Sequence, residues 1–353
     1  MISRCTGCGI LGLLLVFSQG CGDAGDGGGK PGSAPSASGS KKVQLVGFDA
    51  SEPLVHAMRQ RRLQGVVVQN PMRMGETSVK NLVAYLEKKE VAAKVSTGET
   101  LVTPENLTSP EIEPLINPPK ADNRTEGNLS GTKTKKWRVI VIPKGTTHEF
   151  WKTIHAGALK AASDLGNVEV VWQGPQKEDD RLQQIELVQN AIATGVDGIV
   201  LAPLDSKALV GPVEQAVAKG IAVVVIDSGI ETSKIASYVA TDNYHGGVLA
   251  AKRLGEILKG EGKIILLRYA VGSESTEQRE KGFTDTMKAE FPKITYLSDT
   301  EYAGATSDSA QQKAQSLVTR FRGQVDGIFC PNESSTLGML RALEGAGMLA
   351  SKP

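Results

Sequence analysis

A surplus of either charge is what this sequence most plainly lacks. Lys and Arg number 40 and Asp and Glu 39, a formal net charge of +1. That balance leaves no basic face for nucleic acid. Cysteine is scarce, four in 353 residues. Cys5 and Cys8 have C-x-x-C spacing but lie in an N-terminal leader, so they are not read as a redox or metal motif. His56, His155 and His245 are scattered without metal-ligand spacing and read as surface or locally satisfied residues. No metal and no cofactor is expected. There is no G-x-S-x-G elbow, no G-x-G-x-x-G after a strand and no P-loop, which argues against an enzyme. No helix-turn-helix segment precedes the α/β body, which argues against a repressor.

Long apolar runs are missing as well. The run at residues 10–17 is too short to span a bilayer. With Arg4 before it and Ser18-Gln19-Gly20-Cys21 after it, residues 1–20 read as a signal peptide. Residues 18–21 resemble the lipobox of bacterial lipoproteins, with Gly20 in the small position before Cys21. Ser18 and Gln19 depart from the usual pair, so an ordinary signal peptide cut nearby is the alternative. Lipidation of Cys21 would leave Cys330 alone, a small buried residue near a strand end. Residues 21–41 are rich in Gly, Ser, Pro and Ala and read as a flexible tether, here between a lipid anchor and a folded body.

What is present is regular alternation of strand and helix. Residues 138–143 are a short apolar, β-branched run that reads as a buried strand. The polar loop 144–149 follows, and then a helix opening on Phe150 and Trp151 and ended by Gly166. Strands at 168–172, 198–202, 222–226, 235–240, 263–267, 294–297 and 327–330 continue the pattern, with helical segments between most of them. Residues 43–118 carry strands at 43–48, 65–69 and 101–103, helices between them, and an irregular Pro-containing end. Residues 121–136 are a polar second linker ending in TKTKK. Strands alternating with helices imply parallel sheets covered on both faces, and two series imply two doubly wound lobes. The last helix has no following strand to complete its crossover, and the first strand has no preceding helix. Head and tail are complementary, so the order of parts reads as rotated.

The motifs carry a resemblance. GTTHEFW at 145–151, GVDGIVLAPLDS at 195–206, VVVIDSG at 223–229, VATDNYHGG at 239–247, STEQREKGF at 275–283 and CPNESSTLGML at 330–340 resemble the first two-thirds of a type I periplasmic sugar-binding protein of the ribose-binding kind. VGFDAS and GVVVQNPMRMG resemble the final third of the same family, placed first here. The implied fold is α/β, two doubly wound parallel-sheet lobes of the type I periplasmic binding protein fold, circularly permuted. Residues 42–119 are then the family's C-terminal third, 120–136 a linker joining its usual termini, and 137–353 its first two-thirds. Lobe 1 would comprise about 137–242 with 70–99. Lobe 2 would comprise about 243–353 with 43–69 and 100–119.

The resemblance also implies a site. Phe150 and Trp151 would stack on a sugar's C–H face, although as helix-start residues they could equally be core. His148 falls where the family often has an Asn, and Lys144 is a further candidate in the same loop. Asp227 would accept from paired hydroxyls, with Ser228 where the ribose binder has Arg. Arg279 would donate a bidentate fork, and Tyr302 lies near another family aromatic. Asn332, Asp49 and Gln69 complete the set. Strand-end Asp and Asn also cap helices, Arg279 could be a surface helix charge, and Gln69 could satisfy hinge backbone. As a cleft residue, Asp227 is expected to be replaceable without loss of fold. The expected function is a non-enzymatic lipoprotein, periplasmic or on the cell surface, that captures a small sugar or polyol and delivers it to ABC permease subunits. A sensor presenting its closed form to a chemoreceptor or kinase is the alternative, and a monomer is expected.

Overall fold

The computed structural model describes residues 42–118 and 136–349. The leader, Cys21, the tether and all but the end of the 120–136 linker lie outside the described residues.

Two six-stranded sheets form the body. One contains β5 (Trp137–Ile142), β6 (Val168–Trp172), β7 (Gly198–Leu201), β8 (Ala222–Ile226), β9 (Ser237–Ala240) and β3 (Lys94–Ser96). Their spatial order is β3-β9-β8-β7-β5-β6, with every pairing parallel. The other contains β1 (Gln44–Phe48), β2 (Gly65–Gln69), β4 (Glu99–Val102), β10 (Glu261–Leu266), β11 (Lys293–Ser298) and β12 (Gly327–Phe329), in the order β11-β10-β12-β1-β2-β4. This sheet is mixed, because β4 pairs with β2 antiparallel. After β3 the chain crosses back from the other sheet, so it enters this one from the opposite end.

Strand alternation explains why each sheet is covered on both sides. In β5, Val139 and Val141 join one apolar cluster while Ile140 and Ile142 join another. Side chains of successive strand residues point to opposite faces, so a strand apolar at every position feeds two cores. Helices α2 (Pro71–Leu86) and α4 (Glu149–Leu165) close the first face. Helices α5 (Arg181–Thr194) and α6 (Val210–Ala218) close the second. In the other sheet, α1 (Glu52–Arg59), α9 (Ser307–Arg320) and α10 (Glu333–Gly345) cover one face, and α7 (Asn243–Ile257) and α8 (Glu274–Glu290) cover the other.

Element boundaries shift where caps decide them. The helix expected from about residue 74 starts at Pro71, because the Asn70 side chain accepts from Arg73 N and proline suits the first helical position. The stretch expected to be irregular up to residue 118 contains a single turn, α3 (Glu113–Ile116). Strand β3 has no counterpart in the sequence reading. Its three residues are not fully buried and carry too little pattern to stand out.

Among the described residues three short segments carry the chain between the sheets: Gln69 to Asn70, Thr97 to Gly98, and Thr241 to Asp242. They are tied together, Thr241 Oγ1 donating to Gln69 Oε1 at 2.8 Å and Thr97 N to Ala240 O at 2.9 Å. The ends of the described chain also meet. Val43 N donates to Met348 O at 2.9 Å, and Val43 and Leu349 form a parallel bridge.

Candidate functional site

The carboxyl ends of the parallel strands in both sheets face one cavity, where open α/β sheets place ligands. Asp49 follows β1 and Asp227 follows β8, and both adopt the left-handed conformation, φ 64° and 61°. Non-glycine residues rarely hold that conformation unless the surroundings impose it, and it aims both carboxylates off their strand ends. Lys144, His148, Phe150, Trp151, Asp227, Arg279, Asn332, Asp49 and Gln69, all expected at a site, line this cavity.

Arg279 is placed by close helix packing. A Cβ on Gly247 of α7 would lie 2.0 Å from Arg279 O, and one on Gly282 of α8 would lie 2.0 Å from Tyr244 O. Only glycine lets these helices approach so closely. The Arg279 side chain is 2 % exposed, with its guanidinium 3.9 Å over the Phe48 ring. Its Nε donates to Asn243 Oδ1 and its Nη1 to Pro331 O, both at 2.9 Å, while Nη2 has no hydrogen-bond partner. Asn243 also donates from Nδ2 to Asp227 O at 3.2 Å, so one amide ties Arg279 to the opposite strand end. Asp49 accepts from Gln69 Nε2 at 2.7 Å and from Glu333 N at 3.2 Å, with Arg279 Nη1 3.9 Å away. Burial outweighs these partners and holds the Asp49 carboxyl above the usual range.

Lys144 differs from the expectation of a ligand contact. Its ammonium lies 2.9 Å from Asp227 Oδ2 and donates to Ser228 Oγ at 2.7 Å, Ser275 Oγ at 3.1 Å and Ser273 Oγ at 3.3 Å. An ammonium has three donors, and these four oxygens saturate them. Ser228 is fully buried behind the wall, donating to Ser275 Oγ at 2.8 Å, so it too differs from the expected contact. Lys144 is therefore a buried cation bridging the two sheets.

A second charged group was not anticipated. Glu178, in the loop after β6, accepts from Trp151 Nε1 at 2.5 Å and Tyr269 OH at 2.5 Å, with His148 Nδ1 at 2.8 Å. Burial works against its charge, but the bond and charge of His148 and the donors Tyr269 and Trp151 prevail and hold its carboxyl at about 2. Burial likewise opposes charging of His148, and Glu178 outweighs it, raising the imidazole to about 9. Trp151 is 2 % exposed and packs in the core beneath β5, while also lining the cavity. Phe150 meets it edge-on at 4.9 Å and forms the more open aromatic wall. Asn332 caps α10, accepting from Ser335 N at 3.2 Å, and lines the cavity as well.

Tyr302 is a correction. It is 41 % exposed and pairs through its backbone with Arg268, outside the cavity wall. The aromatic of this sheet that faces the cavity is Tyr269, beyond the end of β10. Glu280 accepts from Tyr269 N at 3.1 Å and from Arg268 Nη1 at 2.8 Å, which fixes that turn. Among the described residues no cluster of three His, Cys, Asp or Glu suits a metal.

The profile of the periplasmic binding protein domain matches residues 139–353. The chain belongs to this family. Its fold is that of the type I members, and the relatives it matches are substrate-binding transport proteins rather than enzymes. It is 30 % identical over 181 residues to the xylitol-binding protein of Mycolicibacterium smegmatis, covering 51 % of each chain. It is 29 % identical over 220 residues to the D-ribose/D-allose-binding protein of Pseudomonas aeruginosa, covering 60 % of this chain and 68 % of that one. A solved structure of the periplasmic component of an ABC-type sugar transport system from Hahella chejuensis superposes with a TM-score of 0.57 at 33 % identity, over 60 % of this chain and 76 % of that one. The chain thus spans about half the length of the xylitol-binding relative. The family match begins beyond the second linker, and residues 42–118 lie outside it.

Proposed function

We infer that this chain is the extracytoplasmic solute-binding component of an ABC transport system and captures a small sugar or polyol between two lobes. The observation that carries the reading is the convergence on one cavity of polar strand-end groups from both sheets, Asp227 from one and Asp49, Gln69, Arg279 and Asn332 from the other, beside the Phe150 ring. Each hydroxyl of a sugar both donates and accepts, and its C–H faces suit an aromatic wall. The names of the xylitol- and ribose/allose-binding relatives support this chemistry.

Lobe 1 is 137–242 with 70–99, and lobe 2 is 243–353 with 43–69 and 100–119. The cavity is about 30 Å³ and adjoins a larger groove of about 1170 Å³, sharing Asp49, Gln69, His148, Phe150 and Glu333. A sugar ring needs more room than the smaller part offers, so entry requires the lobes to part about the crossing segments. The closed form then docks on the permease.

The order of parts is a circular permutation. Two features support it: the family match starts at residue 139, and β1 lies between β12 and β2 with Val43 against Leu349. Ends that meet in space make such a rearrangement tolerable. Residues 1–20 are the signal peptide, Cys21 carries the lipid, and 21–41 tether a monomer to the membrane. Mass analysis of the mature N-terminus, with and without Cys21→Ser, tests the anchor.

A thermal-shift screen of the mature protein against pentoses, hexoses and polyols tests the function. A ligand at a hundred times its Kd stabilises the folded state by about 2.7 kcal/mol. One responding sugar is the expected result. Silence across the panel would sink the sugar reading.

A further inference from the structure

Acidic side chains outnumber basic ones around the cavity. Four carboxylates line it, those of Asp49, Glu178, Asp227 and Glu333, against three cationic side chains, Lys144, His148 and Arg279. Lys144 is spent on Asp227, His148 on Glu178, and Arg279 is the cation nearest Asp49. Glu333 has no cation of its own, and its Oε2 is buried without a hydrogen-bond partner. Burial, reinforced by Asp49, Glu178 and Glu149 and opposed by the more distant His148, pushes its carboxyl up to about 7. It occupies the first residue of α10, a position where the helix terminus favours an anion. Buried charge in a folded protein is normally paired.

A second group is left over in the same cavity. Arg279 Nη2 is buried and has no acceptor, on a side chain only 2 % exposed. The two residues share Asp49 as a neighbour, its Oδ2 accepting from Glu333 N and lying 3.9 Å from Arg279 Nη1. The cavity therefore offers one spare donor on a cation and one carboxyl oxygen without a partner, and a positive charge placed beside Glu333 would hold that carboxyl ionised at neutral pH. A neutral polyol satisfies the donor and leaves Glu333 without a cation. The geometry points to a ligand that carries an amine, an amino sugar or amino polyol whose ammonium pairs with Glu333 while one of its oxygens accepts from Arg279 Nη2. This rests on the sugar-binding reading above and narrows it. Glu333 lines both the cavity and the larger groove beside it. An ammonium there reaches its partner without losing all of its hydration.

The test compares matched pairs by calorimetry on the mature chain at neutral pH: D-glucosamine with D-glucose, D-galactosamine with D-galactose, and 1-amino-1-deoxy-D-sorbitol with D-sorbitol. At least one amino compound is expected to bind about tenfold or more tightly than its neutral parent, a difference of about 1.4 kcal/mol. In Glu333→Gln that ratio is expected to fall to about one, and in Glu333→Asp, which keeps the charge, to survive in part. Neutral parents binding as tightly as their amines would overturn the inference and leave the sugar reading standing. So would an amine preference that Glu333→Gln does not reduce, because the ammonium would then sit elsewhere. Binding by neither class removes the sugar reading and this inference with it. Should Glu333→Gln not fold, the wild-type ratio decides.

Discussion

Tyr269 donates its phenol to Glu178 Oε2 at 2.5 Å, joining a residue beyond β10 in one sheet to a loop of the other. The same carboxylate takes Trp151 and His148 from its own side. Lys144 makes a parallel link to Ser273 and Ser275, and Gly229 N donates to Glu274 Oε2 at 2.8 Å. The protein's own polar contacts thus hold the two sheets' loops against one another in this structure.

Tyr269→Phe removes the phenolic donor and keeps the ring. Expected is a stability loss of about 1–3 kcal/mol in urea unfolding, the range for one buried hydrogen bond left half-made. Expected too is a more open average shape by small-angle scattering without ligand. An unchanged scattering profile would mean the link does not hold the lobes.

Asp227 is structural as well as a cavity residue, contrary to the expectation that its loss spares the fold. Asp227→Ala leaves the buried Lys144 ammonium without its carboxylate, and Lys144→Met leaves the carboxylate without its cation. Each single change is expected to cost about 3–5 kcal/mol. The double change Lys144→Met with Asp227→Leu is expected to cost less than the sum, because no charge is left stranded. Denaturant midpoints of the four proteins complete the cycle, and additive losses would count against the pair.

The His148–Glu178 pair sets a pH window. His148 is raised from 6.5 to about 9, so its contribution is fully present below 6.5 and is lost as pH rises through 9. Glu178 is lowered from 4.5 to about 2, so its contribution is present above 4.5 and is lost as pH falls through 2. Glu333 is raised from 4.5 to about 7, and that costs stability as pH climbs between those values. The unliganded protein is therefore expected to be most stable near pH 4.5 and to lose on the order of 5–7 kcal/mol towards pH 9.5. His148→Gln should flatten the part of the decline above pH 6.5. Melting temperatures measured across this range decide it.

Much of this was legible in the chain because parallel strands buried on both faces read as unbroken apolar runs. Residues 139–142, 199–201 and 222–226 are examples, and the first and last run on to Lys144 and Asp227 at the cavity. Asp49, Asp227 and Asn332 could be placed because they stand directly after such runs. Glu178 could not. It lies six residues beyond the end of β6 among other acids, with nothing local to single it out. Tyr269 and Tyr302 were exchanged for a related reason. Both sit in loops, and only the turn fixed by Glu280 decides which ring faces inward. The partners of Lys144 were not legible, since Ser273 and Ser275 are more than a hundred residues away in the chain.

The two aromatics that change roles give the clearest contrast. Phe150→Ala removes the open aromatic wall of the cavity, which also packs against the core under β5. It is expected to weaken sugar binding by about tenfold or more, at a stability cost of about 1–2 kcal/mol for a partly buried ring. Tyr302→Ala is expected to change neither, staying within about 0.5 kcal/mol, because the ring is 41 % exposed and touches no cavity residue through the Arg268 bridge. Calorimetric titration with whichever sugar the screen identifies, alongside urea unfolding of both variants, measures the two effects together. Loss of binding in Tyr302→Ala would move the site towards the β10–β11 edge. Undiminished binding in Phe150→Ala would mean that hydrogen bonds alone hold the ligand, with no ring beneath it.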